Sequence, residues 1–472
     1  MSVVFEFIEG VVPFMKRFME QVLYDWYNKK RRKPLIIRGA RQVGKSTLVR
    51  QFAKNNGITL YEINLEKHLQ LDSLFKSLDV DNIIAELNAF FKNDIKIGKS
   101  LLFLDEIQST PHAIQALRYF YEELPDLPII AAGSLLEFIL SMHDFSMPVG
   151  RIEYLYLGPM TFKEFLLALN ESHLLKVLDE FDLDKGIAQI DHENLLKRHR
   201  EYLFIGGMPE VILNYTEDNN ISKVVDTLRS INETYQDDFA KYAKRNELIR
   251  LQRIYNFVPK NIGKKVKYSN ITREEQSREI KSGIDILEKA RVILKICHSN
   301  CSGLPLKSEI NLNIYKLLFL DVGLMNQLCG LNWISLKSIN EISLINEGAI
   351  AEQFIGQHLL YKNKGLENPN LCYWLREQKI SNAEVDYVIS CGNLIIPVEV
   401  KSGKSGTLKS LQQFIFKKQL SLALRFDLNK PSLQNISHIV AHPNTSSKIE
   451  FTLLSLPLYM VEETTKIINF LL

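Results

Sequence analysis

At 472 residues, 46% of them hydrophobic, the chain is too long for a single core and is expected to divide into roughly two to four domains. A net charge of only +3 excludes a histone-like polycation, so any nucleic-acid surface must be a local patch. Five cysteines (Cys297, Cys301, Cys329, Cys372 and Cys391) are odd in number and follow no framework spacing, which excludes a disulfide scaffold and points to a reducing compartment.

The chain opens with Met1-Ser2-Val3-Val4-Phe5-Glu6, which has no basic segment before its apolar residues, and Glu6 and Glu9 interrupt the run. Neither a secretory signal nor a membrane span is expected there, and the protein reads as cytoplasmic. The basic run Lys29-Lys30-Arg31-Arg32-Lys33 follows; a solvated helix end is favoured over a nucleic-acid contact. Next comes the apolar run Leu35-Ile36-Ile37, and directly after it Gly39-Ala40-Arg41-Gln42-Val43-Gly44-Lys45-Ser46, with Thr47 opening a helical stretch. The glycines let the backbone curl so that several N–H groups converge on one anion at the positive end of the helix. Lys45 supplies a point charge for the outer phosphates, and the Ser46 hydroxyl can ligate the Mg²⁺ that travels with a nucleotide.

Strands are expected at 35–38, 58–65, 100–105, 128–132 and 151–157, alternating with longer helical stretches as a parallel sheet requires. The third ends Leu101-Leu102-Phe103-Leu104-Asp105-Glu106, which sets two acids at the carboxyl end of a buried strand, where open α/β sheets bind ligands. Asp105 can hold Mg²⁺ through water or Ser46, and Glu106 can orient or deprotonate the attacking water. The fourth strand runs into Gly133-Ser134, where a small polar side chain can sense the terminal phosphate. Arg151, after the turn Pro148-Val149-Gly150, is a candidate for neutralising transition-state charge in its own site or a neighbour's, against the alternative of a structural salt bridge.

The phosphate loop, Leu104-Asp105-Glu106, Ala132-Gly133-Ser134-Leu135-Leu136-Glu137-Phe138 and Gly158-Pro159-Met160-Thr161-Phe162-Lys163-Glu164-Phe165 together resemble a large prokaryotic group of AAA-superfamily ATPases. Its members carry a C-terminal domain of unassigned function, and the resemblance covers essentially the whole chain. It implies sheet order 5-1-4-3-2, ATP rather than GTP, and a sensor role for Ser134, where better-studied relatives carry Asn or Thr.

Residues 170 to 200 are polar and helical in character, with Leu174, Leu175, Val177, Leu178 and Phe181 recurring near helical period, and read as a connector. Gly206-Gly207-Met208-Pro209-Glu210 marks a sharp reversal. From about Glu247 the order helix, strand, helix, helix, strand, loop, strand suggests a winged helix, with 292–296 and 316–320 as wing strands. From Arg273 to Arg291 five basic residues meet five acids, so a structural or partner-binding winged helix is favoured over a DNA reader.

The C-terminal third carries Glu384-Val385-Asp386 and, after Cys391-Gly392-Asn393, Pro397-Val398-Glu399-Val400-Lys401. Period-two alternation puts Glu399 and Lys401 on one face, and the short turn pairs their strand with that of Asp386. Two carboxylates there can bind Mg²⁺, and a lysine beside them can orient or help deprotonate a metal-bound water for phosphodiester attack. Glu352, on the helical stretch 348–360, is a candidate fourth member. The arrangement is similar to the PD-(D/E)xK nuclease fold, with Glu352 and Asp386 matching its acids, Glu399 and Lys401 its final motif, and Val385 where a proline often stands. Residues 401 to 430 hold seven basic side chains (Lys401, Lys404, Lys409, Lys417, Lys418, Arg425, Lys430) against Asp427 alone, which suits a phosphate backbone crossing the site. The alternative is a cross-strand Glu–Lys pair with solvated lysines.

The expected organisation is an AAA-type P-loop ATPase domain (1–170), a helical connector (171–245), a winged-helix-like domain (246–335) and a nuclease-like α/β domain (336–472). The expected function is ATP hydrolysis, with Mg²⁺, coupled to a C-terminal module acting on nucleic acid, DNA foremost. A protein partner or self-association is allowed for, and the alternative is a regulatory or scaffold switch whose C-terminal domain binds without cleaving.

Overall fold

The computed structural model describes residues 15–134, 136, 150–218, 220–241, 243–331, 347–361, 365–377, 382–404, 406–441 and 446–471. Leu135, Glu137, Phe138, Pro148 and Val149, part of the expected motifs, lie outside them. The chain forms two compact units: Met1–Pro159 with Lys289–Arg291 and Asn363–Pro369, and Met160–Glu288 with Val292–Lys362 and Asn370–Leu472. Among the described residues no helix is long and apolar enough to cross a membrane.

The first unit is built on five parallel strands: β1 (Leu35–Arg38), β2 (Thr59–Asn64), β3 (Ser100–Asp105), β4 (Ile129–Gly133) and β5 (Glu153–Tyr156). Their order is β2-β3-β4-β1-β5, which is the expected 5-1-4-3-2 read from the other edge. β3 and β4 are buried at every position, as strands of a parallel sheet covered on both faces must be. Helices α1 (Met19–Tyr27), α2 (Lys45–Asn55), α3 (Val80–Phe91) and α4 (Pro111–Glu123) accompany the sheet. α3 starts where the Asp79 side chain accepts from Asn82 N at 3.0 Å. α4 starts on Pro111, whose missing N–H leaves nothing unpaired in a first turn. The core gathers Ile36, Ile63, Leu102, Leu104, Leu117 and Phe120. Members of the basic run after α1 are engaged within the unit: Arg32 donates to the helix-end carbonyl of Tyr27 at 2.5 Å and to Asp126 O at 3.0 Å, and Lys29 pairs with Glu153 at 2.5 Å.

The second unit begins with helices, among them Phe162–Ala168, Ser172–Asp179, Gln189–Ile205 and Ile221–Asp238. Thr161 and Glu164 cap the first of these reciprocally. The reversal at Gly206-Gly207 is fixed by Asp321, whose Oδ2 accepts from Gly207 N at 2.6 Å while Oδ1 caps the helix Val322–Leu328 through Gly323 N at 2.9 Å. An eight-stranded mixed sheet follows: β6 (Ile293–Ser299), β7 (Ile310–Phe319), β8 (Cys372–Arg376), β9 (Ala383–Cys391), β10 (Leu394–Val400), β11 (Leu422–Asp427), β12 (Ser432–Ala441) and β13 (Ser446–Pro457), in the order β12-β13-β11-β10-β9-β8-β6-β7. Helices α5 (Glu347–Leu360) and α6 (Lys409–Lys418) belong to the same unit.

The two strands read as wings pair antiparallel, but they are not a free-standing wing. β6 also pairs β8 in parallel, through Cys297↔Cys372 and His298↔Tyr373, so the hairpin forms one edge of the C-terminal sheet and that sheet continues across residue 335. The physical reason lies in the strands themselves. Ile293, Leu294, Ile296, Leu317, Leu318 and Phe319 are all buried, and a solvated wing has no way to cover both faces of such a pair.

Candidate functional sites

The phosphate loop follows the carboxyl end of β1, between a central buried strand and α2. Its backbone needs both glycines. Gly44 stands at φ +91° as the N-cap of α2, and a Cβ on Gly39 would lie 2.2 Å from the carbonyl oxygen of Leu157. Gln42 also takes a positive φ, +58°, which turns the loop inward. Lys45, 8% exposed, reaches back to donate to Ala40 O at 2.7 Å and Gly39 O at 3.1 Å, so its ammonium lies inside the loop. Ser46 Oγ donates to Asp105 Oδ2 at 2.8 Å. The first turn of α2 and the end of β3 thus meet at one hydroxyl–carboxylate pair. Burial pushes the Asp105 carboxyl up, and the Ser46 hydrogen bond only partly offsets it.

Two side chains that sequence reading overlooked complete this region. Arg17, buried, donates to Val43 O and to Gly158 O, both at 2.9 Å, and so ties the loop to the segment after β5; nothing local in the sequence marks it. Gln108, two residues beyond Glu106, donates Nε2–H to Glu106 Oε2 at 2.5 Å. Glu106 itself stands at φ +51°, a conformation that costs a non-glycine residue and is kept where surroundings impose it. Ser134, 3% exposed, follows β4 at the same carboxyl edge, and neither its Oγ nor Gln108 Oε1 has a hydrogen-bond partner among the described residues. Unpaired polar atoms at the ligand-binding edge of a parallel sheet suit a polyphosphate and its water.

Arg151 is not brought to this edge. β5 enters the sheet with Glu153 opposite Leu35, so Arg151 lies at the amino end of the strands, whereas the loop leaves their carboxyl end after Arg38. Its guanidinium pairs with Glu122 at 2.9 Å, close to the salt-bridge alternative, and strand direction removes it from its own chain's phosphate site.

In the second unit a two-residue turn, Gly392-Asn393, closes the β9–β10 hairpin with Cys391 opposite Leu394 and Tyr387 opposite Val398. The next step sets Asp386 beside Glu399, and Asp386 Oδ2 accepts from Val400 N at 2.7 Å. Lys401 Nζ lies 2.5 Å from Glu399 Oε1. Glu399 Oε2 is buried with no hydrogen-bond partner among the described residues, in a side chain whose residue is 6% exposed. α5 carries Glu352, whose Oε1 meets Lys316 Nζ at 2.9 Å; Lys316 also reaches Glu384 Oε1 at 2.5 Å. Lys316 on β7 and Glu384 on β9 were not among the expected site residues. Glu384 was legible, since it shares a strand face with Asp386; Lys316 announced itself only as a single lysine in the apolar run Tyr315 to Leu320.

The electrostatics follow from burial. Glu399 is pushed up to about 7 by burial and then by Asp386, against the pull of Lys401. Glu352 is pushed up to about 7 by burial and by Asp386, although Lys316 opposes the shift. Burial works against the Lys316 charge, but Glu352, Asp386 and Glu384 outweigh it and hold the ammonium protonated. Among the described residues no three Asp, Glu, His or Cys side chains close on one point as a metal cage. Glu352, expected as a third metal ligand, is instead engaged by Lys316. Asp386 and Glu399 remain a fit for Mg²⁺, which commonly takes only one or two carboxylates, and the unpartnered Glu399 Oε2 is the observation that supports it. Of the basic residues after position 401, Lys401 pairs with Glu399, Arg425 lies 3.0 Å from Asp427, Lys418 donates to Ser302 Oγ at 3.0 Å, and Lys417 lies 5.7 Å over the Trp374 ring.

Residues 31–166 match the AAA domain family, residues 196–335 a domain of unknown function (DUF8612), and residues 347–440 another domain of unknown function (DUF4143). An uncharacterised protein of Methanocaldococcus jannaschii is 28% identical over 195 residues; the match covers 40% of this chain and 38% of that protein. Similar solved structures include the Aeropyrum pernix ORC2 protein in ADPNP–ADP complexes, at 13% identity and TM-score 0.34 over 71% of this chain and 98% of that one. C. elegans PCH-2 is similar at 13% identity and TM-score 0.26 over 43% of this chain and 61% of that one. These structural likenesses are too weak to build on. The family match and the parallel sheet with its phosphate loop agree without them: residues 31–166 form an AAA-type P-loop domain.

Proposed function

We propose that the chain hydrolyses ATP and that its nucleotide state governs a C-terminal module that binds DNA and cuts it with Mg²⁺. The observation that carries the ATPase reading is the Ser46–Asp105 hydrogen bond, with Glu106 next in sequence and Lys45 inside the loop. In this reading the loop amides and Lys45 hold the outer phosphates, and Ser46 and Asp105 hold Mg²⁺, which when bound neutralises phosphate charge. Glu106, steadied by Gln108, orients the attacking water and accepts its proton. Ser134 Oγ donates to the terminal phosphate. Arg151 takes no part in its own chain's site; its salt bridge to Glu122 supports the structural role, and any catalytic one would be in a neighbouring copy's site. Phosphate release from ATP and GTP by the wild type, Lys45→Ala and Glu106→Gln tests this. Wild-type turnover in both variants would sink it.

For the C-terminal module, Asp386 and Glu399 are the proposed Mg²⁺ ligands and Lys401 orients a water for phosphodiester attack. Residues 246–472 act as one module in this reading, since their strands share one sheet. Plasmid and single-stranded DNA, incubated with Mg²⁺ or Mn²⁺ with and without ATP, should be nicked by the wild type and not by Asp386→Ala. A second reading, a switch that binds DNA without cutting it, is favoured by one feature: Lys316 and Lys401 already engage acids of the cluster. Retained DNA affinity with no cleavage under any metal would decide for it.

A further inference from the structure

Four carboxylates, Glu352, Glu384, Asp386 and Glu399, share this region of the second unit with two ammonium groups, Lys316 and Lys401. The two lysines differ in kind. The Lys401 side chain is partly exposed and touches one carboxylate oxygen, as a surface pair does. Lys316 is 1% exposed, 2.9 Å from Glu352 Oε1 and 2.5 Å from Glu384 Oε1. Its stem rises from an apolar strand and leaves it no route to solvent, and its Nζ also lies 4.9 Å over the Tyr373 ring. A buried compact cation bridging two carboxylates, the largely buried Glu352 and the one-third exposed Glu384, does what a divalent ion between them would do. A second cation cannot enter the same position without expelling the lysine into the core.

We propose that Lys316 is a resident cation of the carboxylate cluster. Its ammonium fills the half made by Glu352 and Glu384, so the module takes one divalent ion, at Asp386 and Glu399, rather than two. This rests on the reading of Asp386 and Glu399 as metal ligands. The open half is marked by Glu399 Oε2, buried and unpartnered among the described residues, while the Lys316 half has its carboxylates engaged. The lysine thereby fixes metal count, and with it the class of ion-assisted chemistry: one ion between protein and phosphate oxygens, with no second ion on the leaving group.

The test is Mn²⁺ titration of the full chain without nucleotide, in an Asp105→Asn background that removes the P-loop carboxylate, read by electron paramagnetic resonance and calorimetry. One ion per chain is expected. Glu399→Gln should weaken it by about tenfold or more, whereas Glu384→Gln, already engaged by Lys316, should change affinity by less than about threefold. Lys316→Met should raise the count to two. Two ions in the wild type, a folded Lys316→Met that still takes one, or a Glu384→Gln variant weakened about tenfold would each overturn the resident-cation proposal while leaving Asp386 and Glu399 as ligands. No ion in the wild type would defeat that ligand assignment and the one-ion count with it. Should Lys316→Met fail to fold, the wild-type count and Glu384→Gln decide.

Discussion

In the first unit, the groups proposed to serve a nucleotide come from one loop, one strand end and the residues just after them: Lys45 and Ser46, then Asp105, Glu106 and Gln108. In the second, Lys316, Glu352, Glu384, Asp386 and Glu399 are spread over one edge strand, a helix and a hairpin, and no pairing outside the hairpin is set by local geometry. The first site is therefore held by backbone conformation, with charges near its mouth. The second is held by the charges themselves, mutually dependent around the buried Lys316. Removing one member should have different consequences in the two: lost chemistry in the first unit, lost stability in the second.

The largest effect should come from Lys316→Met without metal. It leaves the largely buried Glu352 carboxylate with no cation, while Glu384, its side chain 33% exposed, is already partly hydrated; the cost is about 3 kcal/mol, read as a lower urea midpoint for the second unit. A midpoint within error of wild type would show that the cluster is not charge-held. Next, Lys45→Ala should lower ATP turnover by about a hundredfold or more while the urea midpoint barely moves, which separates chemistry from fold in the first unit. Third is pH. Glu352 and Glu399 have folded pKa values of about 7, above their unfolded values, so the folded state binds the extra protons. Their contribution is fully present below about pH 4.5 and is lost as pH rises through about 7, by on the order of 3 kcal/mol for each group.

His199 and His358, buried and pushed down to about 3 and about 4, work the other way. Their contribution is present above the ordinary histidine pKa, near 6.5, and falls away as pH drops through about 4 and 3. The measurement is therefore the difference between wild type and Glu352→Gln/Glu399→Gln across pH 5 to 8, and a flat difference would contradict the burial argument. A smaller effect is expected from Arg17→Ala: losing the donors that tie the loop carbonyl of Val43 to Gly158 O should weaken nucleotide affinity by about tenfold, measured by fluorescent-nucleotide titration. The smallest is Ser134→Ala, which should lower kcat severalfold with KM and the melting temperature nearly unchanged; a changed KM with constant kcat would make Ser134 a binding group and not a sensor.

The phosphate loop, the strands and the Asp105-Glu106 pair were legible because each depends on short-range rules: glycine where φ is positive, apolar runs where both faces are covered, acids where a strand stops; the strand order followed only from the family resemblance. The β9–β10 hairpin was legible for the same reason, through a two-residue turn and period-two alternation. Arg151 was misjudged for its own site because strand direction, not sequence proximity to a turn, decides which edge a residue occupies. The winged-helix reading did not foresee that β6 hydrogen-bonds to β8, a strand more than seventy residues later, because hydropathy does not say which strand will cover another. Arg17 and Lys316 escaped for a deeper cause. Each acts through partners far along the chain, Gly158 for one, Glu352 and Glu384 for the other, and a single charged residue carries no local mark of what it will meet. The sequence by itself determined the loop, the strands and the hairpin, since backbone conformation and burial pattern are local properties. Only the tertiary structure decided which charges share a dry space, because that depends on which distant segments fold against one another and exclude water between them.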